Sequence, residues 1–124
     1  MRRMSTDTFQ VKERTSTGDK VQILEVTGAV TSSTSGAFQD AVKRMSATCL
    51  ILDLTGVPSV DSMAVGALVR AFVSCNKSGR KMALVGLSRR VQNVLELTGI
   101  APLFETYATV ADAERAFIAG DPTA

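Results

Sequence analysis

At 124 residues with 45% hydrophobic side chains, the chain is long enough to bury one core without disulfides or metal, and it calls for no second domain. Fourteen basic residues against twelve acidic ones leave a net charge of +2, with only Arg2-Arg3 and Arg89-Arg90 clustered, so both pairs read as solvated charge and no nucleic-acid surface is expected. With no histidine at all, Ser-His-Asp and Cys-His nucleophile activation and most catalytic zinc sites are excluded.

Residues 1–7 carry no periodic pattern and read as a flexible tail, ahead of a single domain over 8–120 and a short C-terminal tail over 121–124. The polar start is unlike an export signal, and no apolar run approaches the roughly 18 residues of a membrane span, so a cytoplasmic protein without a span is expected. Phe9, Val11 and Glu13 open an alternating segment, Ser16-Thr17-Gly18-Asp19 marks a turn, and Val21, Ile23 and Val26 supply a second strand, which together predict an antiparallel hairpin. The Ser/Thr-rich segment Thr31 to Ser35 offers several N-caps to a first helix with Phe38, Ala41, Val42 and Met45 on one face.

The stretch from Cys49 to Arg70 is central. Leu50, Ile51, Leu52 and Leu54 make a run too short for a helix and suited to a buried strand, closed by Gly56 and Pro58. From Asp61 the apolar spacing becomes helical, so Asp61-Ser62 should cap a helix and place a hydroxyl at its N-terminus. Ala64, Leu68, Ala71, Phe72 and Cys75 share the face suited to the sheet, whereas Ser62, Gly66, Val69 and Val73 lie nearly opposite at i, i+4, i+7 and i+11. Small and apolar residues there suit either a docking surface for another protein or a helix covered by the rest of the fold. Cys49 and Cys75 read as small apolar core residues of a reduced protein, and two thiols without CxxC spacing argue against a metal.

Beyond it, Asn76 to Gly79 reads as a helix end, and Met82, Leu84 and Val85 as a strand. Ser88 caps a helix with Val91, Val94, Leu95 and Thr98 on one face, closed by Gly99, and Leu103 to Tyr107 suggests a short last strand. Thr109 and Asp112 form a capping box for a final helix with Val110, Ala113, Ala116 and Phe117, ending at Gly120. Strands alternating with helices predict an α/β fold with a small, mostly parallel sheet, an antiparallel first strand and about four helices; the strand order is left open.

Ile51-Leu52-Asp53-Leu54-Thr55 followed by Val60-Asp61-Ser62 and Gly66 resembles the signature of the STAS domain family of anti-sigma factor antagonists, and the resemblance runs from Phe9 to Ala119. It implies the fold of that family, phosphorylation of Ser62 by a partner kinase, and a docking surface that includes Asp61, Ser62, Met63, Gly66, Val69 and Val73. The expected partners are an anti-sigma factor serine kinase and a PP2C-type phosphatase. Met63 and Ala64 stand where the family pattern has Ser and Gly, and Ala29 and Thr31 depart from its usual Gly-Glu-Leu-Asp.

As a catalyst the chain lacks parts. Ser62 has no evident base, and Asp61 beside it does not face it on a helix. Neither GxxxxGK[ST] nor GxGxxG occurs, so a nucleotide-binding domain is a weak third reading and no cofactor is expected. Ser62 by residue type alone reads as an N-cap, while the resemblance makes it a phosphoacceptor. The alternative function is a constitutive interaction or scaffold module, as in lipid-transport or stressosome assemblies, without a phosphoswitch.

Overall fold

The computed structural model describes residues 9–16 and 20–119, so the turn residues 17–19, both expected tails and the helix end at Gly120 lie outside it. Strands β1 (Gln10–Ser16) and β2 (Val21–Thr27) pair antiparallel, and β3 (Cys49–Gly56), β4 (Lys81–Val85) and β5 (Glu105–Tyr107) add in parallel, in the order β1-β2-β3-β4-β5. Helices α1 (Ser35–Lys43), α2 (Ser62–Lys77) and α3 (Arg89–Leu97) connect the parallel strands, and α4 (Val110–Ala119) follows the last one.

Each connection advances one strand in the same direction, so crossovers of one hand put α1, α2 and α3 on one face of the sheet. Leu50, Leu52 and Leu54 of β3 and Leu84 of β4 point there, into one core with Phe38, Ala64, Leu68, Val91 and Leu95. The alternate residues Ile51, Ala83 and Val85 point to the other face, where Ala113 and Phe117 of α4 cover them. Burial on both faces is why these strands read as continuous apolar runs and not as alternation.

Several expectations are corrected. Met45 is buried but lies beyond the end of α1, and Thr98 is the C-cap of α3 instead of a residue on its face. Leu103 belongs to a 3-10 turn at Ala101–Leu103, and Phe104 turns into the core, leaving only three residues for β5. Cys49 is half-buried, because it starts its strand at the rim of the smaller core; Cys75 is buried. The hydroxyls of Thr31 to Ser35 do not cap α1: Thr34 occupies the cap position, yet its Oγ1 accepts from the Thr31 N–H at 2.9 Å and donates to the Ala29 carbonyl at 3.2 Å. The other starts follow the caps expected of them, with Ser88 Oγ accepting from Val91 N–H and Thr109 Oγ1 from Asp112 N–H, each at 3.1 Å. At its C-terminus α2 ends on Gly79 at φ +73°, with Arg80 N–H donating to Cys75 O and Gly79 N–H to Asn76 O, a Schellman closure.

Candidate functional site

Past the ends of β2 and β3, the two following loops stay zipped together. Gly28 N–H donates to Gly56 O at 2.9 Å, Val30 N–H to Ser59 O at 3.2 Å, and Asp61 N–H to Val30 O at 3.3 Å, so Val30 and Val60 form an isolated parallel bridge. Asp61 closes the zipper. Its backbone is extended, one carboxylate oxygen accepts from Ala64 N–H at 3.0 Å, and the other accepts from Ser32 N–H at 3.0 Å. A single side chain thus caps α2 and fixes the loop that carries Thr31, Ser32 and Ser33.

Because Asp61 supplies the cap, Ser62 is free of that task. It is the first helical residue, it is exposed, and among the described residues its hydroxyl has no hydrogen-bond partner. The Asp61-Ser62 pair thus divides its work: the carboxylate holds the helix, and the hydroxyl faces solvent. An anion at this position would meet the positive end of the α2 dipole and the N–H groups of the first turn, which have no intrahelical acceptor.

From Ser62 an exposed stripe runs along α2. Met63 is 51% and Val73 45% exposed, while Gly66 and Val69 are half-buried between them. The opposite side is fully used: Ala64, Leu68, Ala71 and Cys75 are buried, and so are Val65 and Ala67, which the face assignment had left out. Ala71 borders Val42 of α1, and Ala67, one turn earlier on that side, is covered with it. Phe72 is half-buried and meets Phe104 edge-to-face with ring centroids 5.6 Å apart. Two features escaped sequence reasoning. The Ser32 contact joins residues 29 apart through a backbone N–H, which no side-chain motif can signal. Arg70 lies back over Gly66, its Nη1 3.3 Å from where a Cβ on that glycine would stand. Among the described residues no His, Cys, Asp and Glu cluster could hold a metal, and no helix is long and apolar enough to cross a membrane.

The chain is 30% identical over 100 residues to the anti-sigma-B factor antagonist of Listeria monocytogenes, covering 78% of this chain and 85% of that protein. Two Thermotoga proteins match at 34% and 33% identity, over 64 residues that span only 57% of their own length. Among solved structures, an anti-sigma factor antagonist from Mycobacterium paratuberculosis superposes with a TM-score of 0.79 at 23% identity, covering 90% of this chain and 96% of that one. SLC26A9 shares the fold at a TM-score of 0.76 and 21% identity, over 84% of this chain but 20% of that one. The family model of the STAS domain matches residues 10–113, and the chain belongs to the STAS domain family as a relative of its anti-sigma factor antagonists.

Proposed function

We propose that the protein is a phosphoswitched anti-sigma factor antagonist. Unphosphorylated, it binds an anti-sigma factor serine kinase through the stripe of Asp61, Ser62, Met63, Gly66, Val69 and Val73, and so releases the sigma factor. The kinase then phosphorylates Ser62, the complex dissociates, and a PP2C-type phosphatase restores the binding form. The protein is substrate and ligand in this cycle, with no catalytic residue of its own.

The observation that carries this reading is the exposed Ser62 hydroxyl, left unengaged because Asp61 caps the helix. A phosphate there adds about −1.5 to −2 charges with little disturbance of the fold, since the helix N-terminus favours an anion. In an interface built on Met63 and Val73 the same charge loses its water. Burying an uncompensated charge costs several kcal/mol, against about 1.4 kcal/mol per tenfold of affinity, so one phosphate is enough to release a partner.

The test is phosphate mapping. Incubation with the partner kinase and ATP is expected to place one phosphate on Ser62, and Ser62→Ala to abolish it; phosphate mapped to Ser59 or to Thr31 through Ser35 overturns the assignment. A constitutive interaction module is the second reading, favoured by Ala29, Thr31, Met63 and Ala64 at positions where the family pattern differs. It is distinguished by Ser62→Asp, which leaves partner affinity unchanged in a module and weakens it at least tenfold in a switch.

A further inference from the structure

We propose that the cleft between α1 and α2, on the flank of α2 that adjoins the Ser62 stripe at Arg70, binds a small phosphate-bearing anion through Lys43, Arg70 and Arg80. The cleft holds about 230 Å³, and its remaining lining comes from Gln39, Val42, Ala71 and Ser74. Three cations therefore border one concavity whose lining contains no carboxylate. Among the described residues none of the three takes part in an ion pair, in contrast to Arg14 with Glu25, Arg44 with Glu13 and Arg115 with Asp112. The adjoining cleft shows the contrast: there Arg80 and Lys81 are accompanied by Glu105, and the charge is offset.

The geometry favours binding because part of it is fixed in advance. Arg80 Nε donates to Ala47 O at 2.8 Å and Nη2 to Met45 O at 2.9 Å, which lock the guanidinium plane and leave Nη1 with no acceptor among the described residues. Such an arginine loses little freedom when it takes up a ligand. Among the described residues the side chains of Arg70 and Lys43 make no hydrogen bond, so they are available to move onto an incoming anion. Guanidinium groups match the oxygens of a phosphate with paired donors, and Lys43 adds a point charge. Gln39 and Ser74 offer neutral hydrogen bonds, and Val42 with Ala71 form a small apolar wall for the remainder of an ester. The volume lies below the roughly 300 Å³ at which pockets for drug-sized ligands begin, so the occupant is phosphate itself or a phosphate ester of a few carbons.

The full unphosphorylated chain, at constant ionic strength in chloride, is titrated with inorganic phosphate and separately with glycerol 3-phosphate, and backbone amide shifts are followed by NMR. Saturable shifts are expected around Gln39 to Lys43, Arg70 to Ser74 and Arg80. Lys43→Gln and Arg70→Gln should each weaken binding about tenfold, the loss of one charge-assisted contact, while leaving the unliganded melting temperature unchanged. Tighter binding of glycerol 3-phosphate assigns an organic ester, and equal binding assigns free phosphate. The proposal is overturned by shifts that fail to saturate at millimolar anion, by shifts of equal size at Arg89 and Arg90, or by affinity that neither substitution alters.

Discussion

Asp61 holds two segments with one carboxylate, and that double contact sets what its replacement does. Asp61→Ala removes the cap on Ala64 and the acceptor for Ser32, so a loss of about 2 to 3 kcal/mol is expected from urea denaturation, roughly 1 from the cap and the rest from the second charged acceptor. Asp61→Asn keeps one oxygen and should retain about half of that. An alanine variant within about 0.5 kcal/mol of the parent shows that neither contact matters. The cap was legible because an Asp preceding helical spacing satisfies N–H groups that every helix leaves open; the tie to Ser32 was not, since it depends on how two loops meet. Cys75 provides a second test. Burial pushes its thiol above the usual 9.0, and the nearby Arg80 cation only partly opposes this. The folded pKa is raised, so above 9.0 the unfolded chain loses its proton first. The stabilising contribution is complete below that pH and is lost as pH rises toward the folded value. Stability should therefore drop between about pH 8 and about pH 10 by more in the parent than in Cys75→Ala; equal drops show that the thiol does not titrate with unfolding.

At the scale of elements, α2 has its sides sorted by what surrounds them, and its glycine sits on the one side left open. A Cβ on Gly66 would meet only the far end of the Arg70 side chain, which can swing away. Gly66→Ala is accordingly expected to raise stability by about 0.5 to 1 kcal/mol through helix propensity, and at the same time to weaken kinase binding if the partner packs closely on this turn. A destabilised Gly66→Ala protein contradicts the open geometry. Gly86 is the opposite case: at φ +71° it follows β4, and a Cβ there would stand 2.0 Å from Thr55 Oγ1 and 3.2 Å from Thr55 Cα. Gly86→Ala combines a left-handed backbone with a clash against a neighbouring strand, and a loss of at least about 2 kcal/mol is expected in thermal melts. Helix starts at Asp61, Ser88 and Thr109 were readable because one polar side chain does the capping in each. The start of α1 was not, because five consecutive Ser and Thr residues at 31–35 compete for the same donors and bond to one another and to nearby backbone. The short β5 was overestimated for a related reason: Pro102 sets up a 3-10 turn that takes Leu103 out of the strand.

For the whole molecule, the sequential strand order collects the loops after β2 and β3 at one end of the sheet and leaves α2 in the middle of the helical layer. Periodicity gave the α/β alternation, but strand order depends on which edge each crossover returns to, and no residue pattern encodes that. The same arrangement leaves the outer side of α2 uncovered by the described fold, unlike the expectation of a helix buried all round. Leu68 is 2% exposed against the sheet, whereas Val73 is 45% exposed on the outer side and Val69 lies between these extremes. Val73→Asp puts its charge in water, so the free protein should keep its stability within about 0.5 kcal/mol; in the proposed kinase complex that charge would be buried, and binding should fail. Val69→Asp should cost an intermediate amount and also abolish binding. Leu68→Asp places an unpaired charge in the main core and should remove several kcal/mol of the 5 to 15 typical of a domain, giving unfolded or insoluble protein. Melting curves of the three variants, combined with a pull-down against the kinase, separate the possibilities. If Val73→Asp stays folded and still binds, the interface lies on another surface and the stripe is only solvated; if it unfolds as Leu68→Asp does, the outer side of α2 is supporting the core.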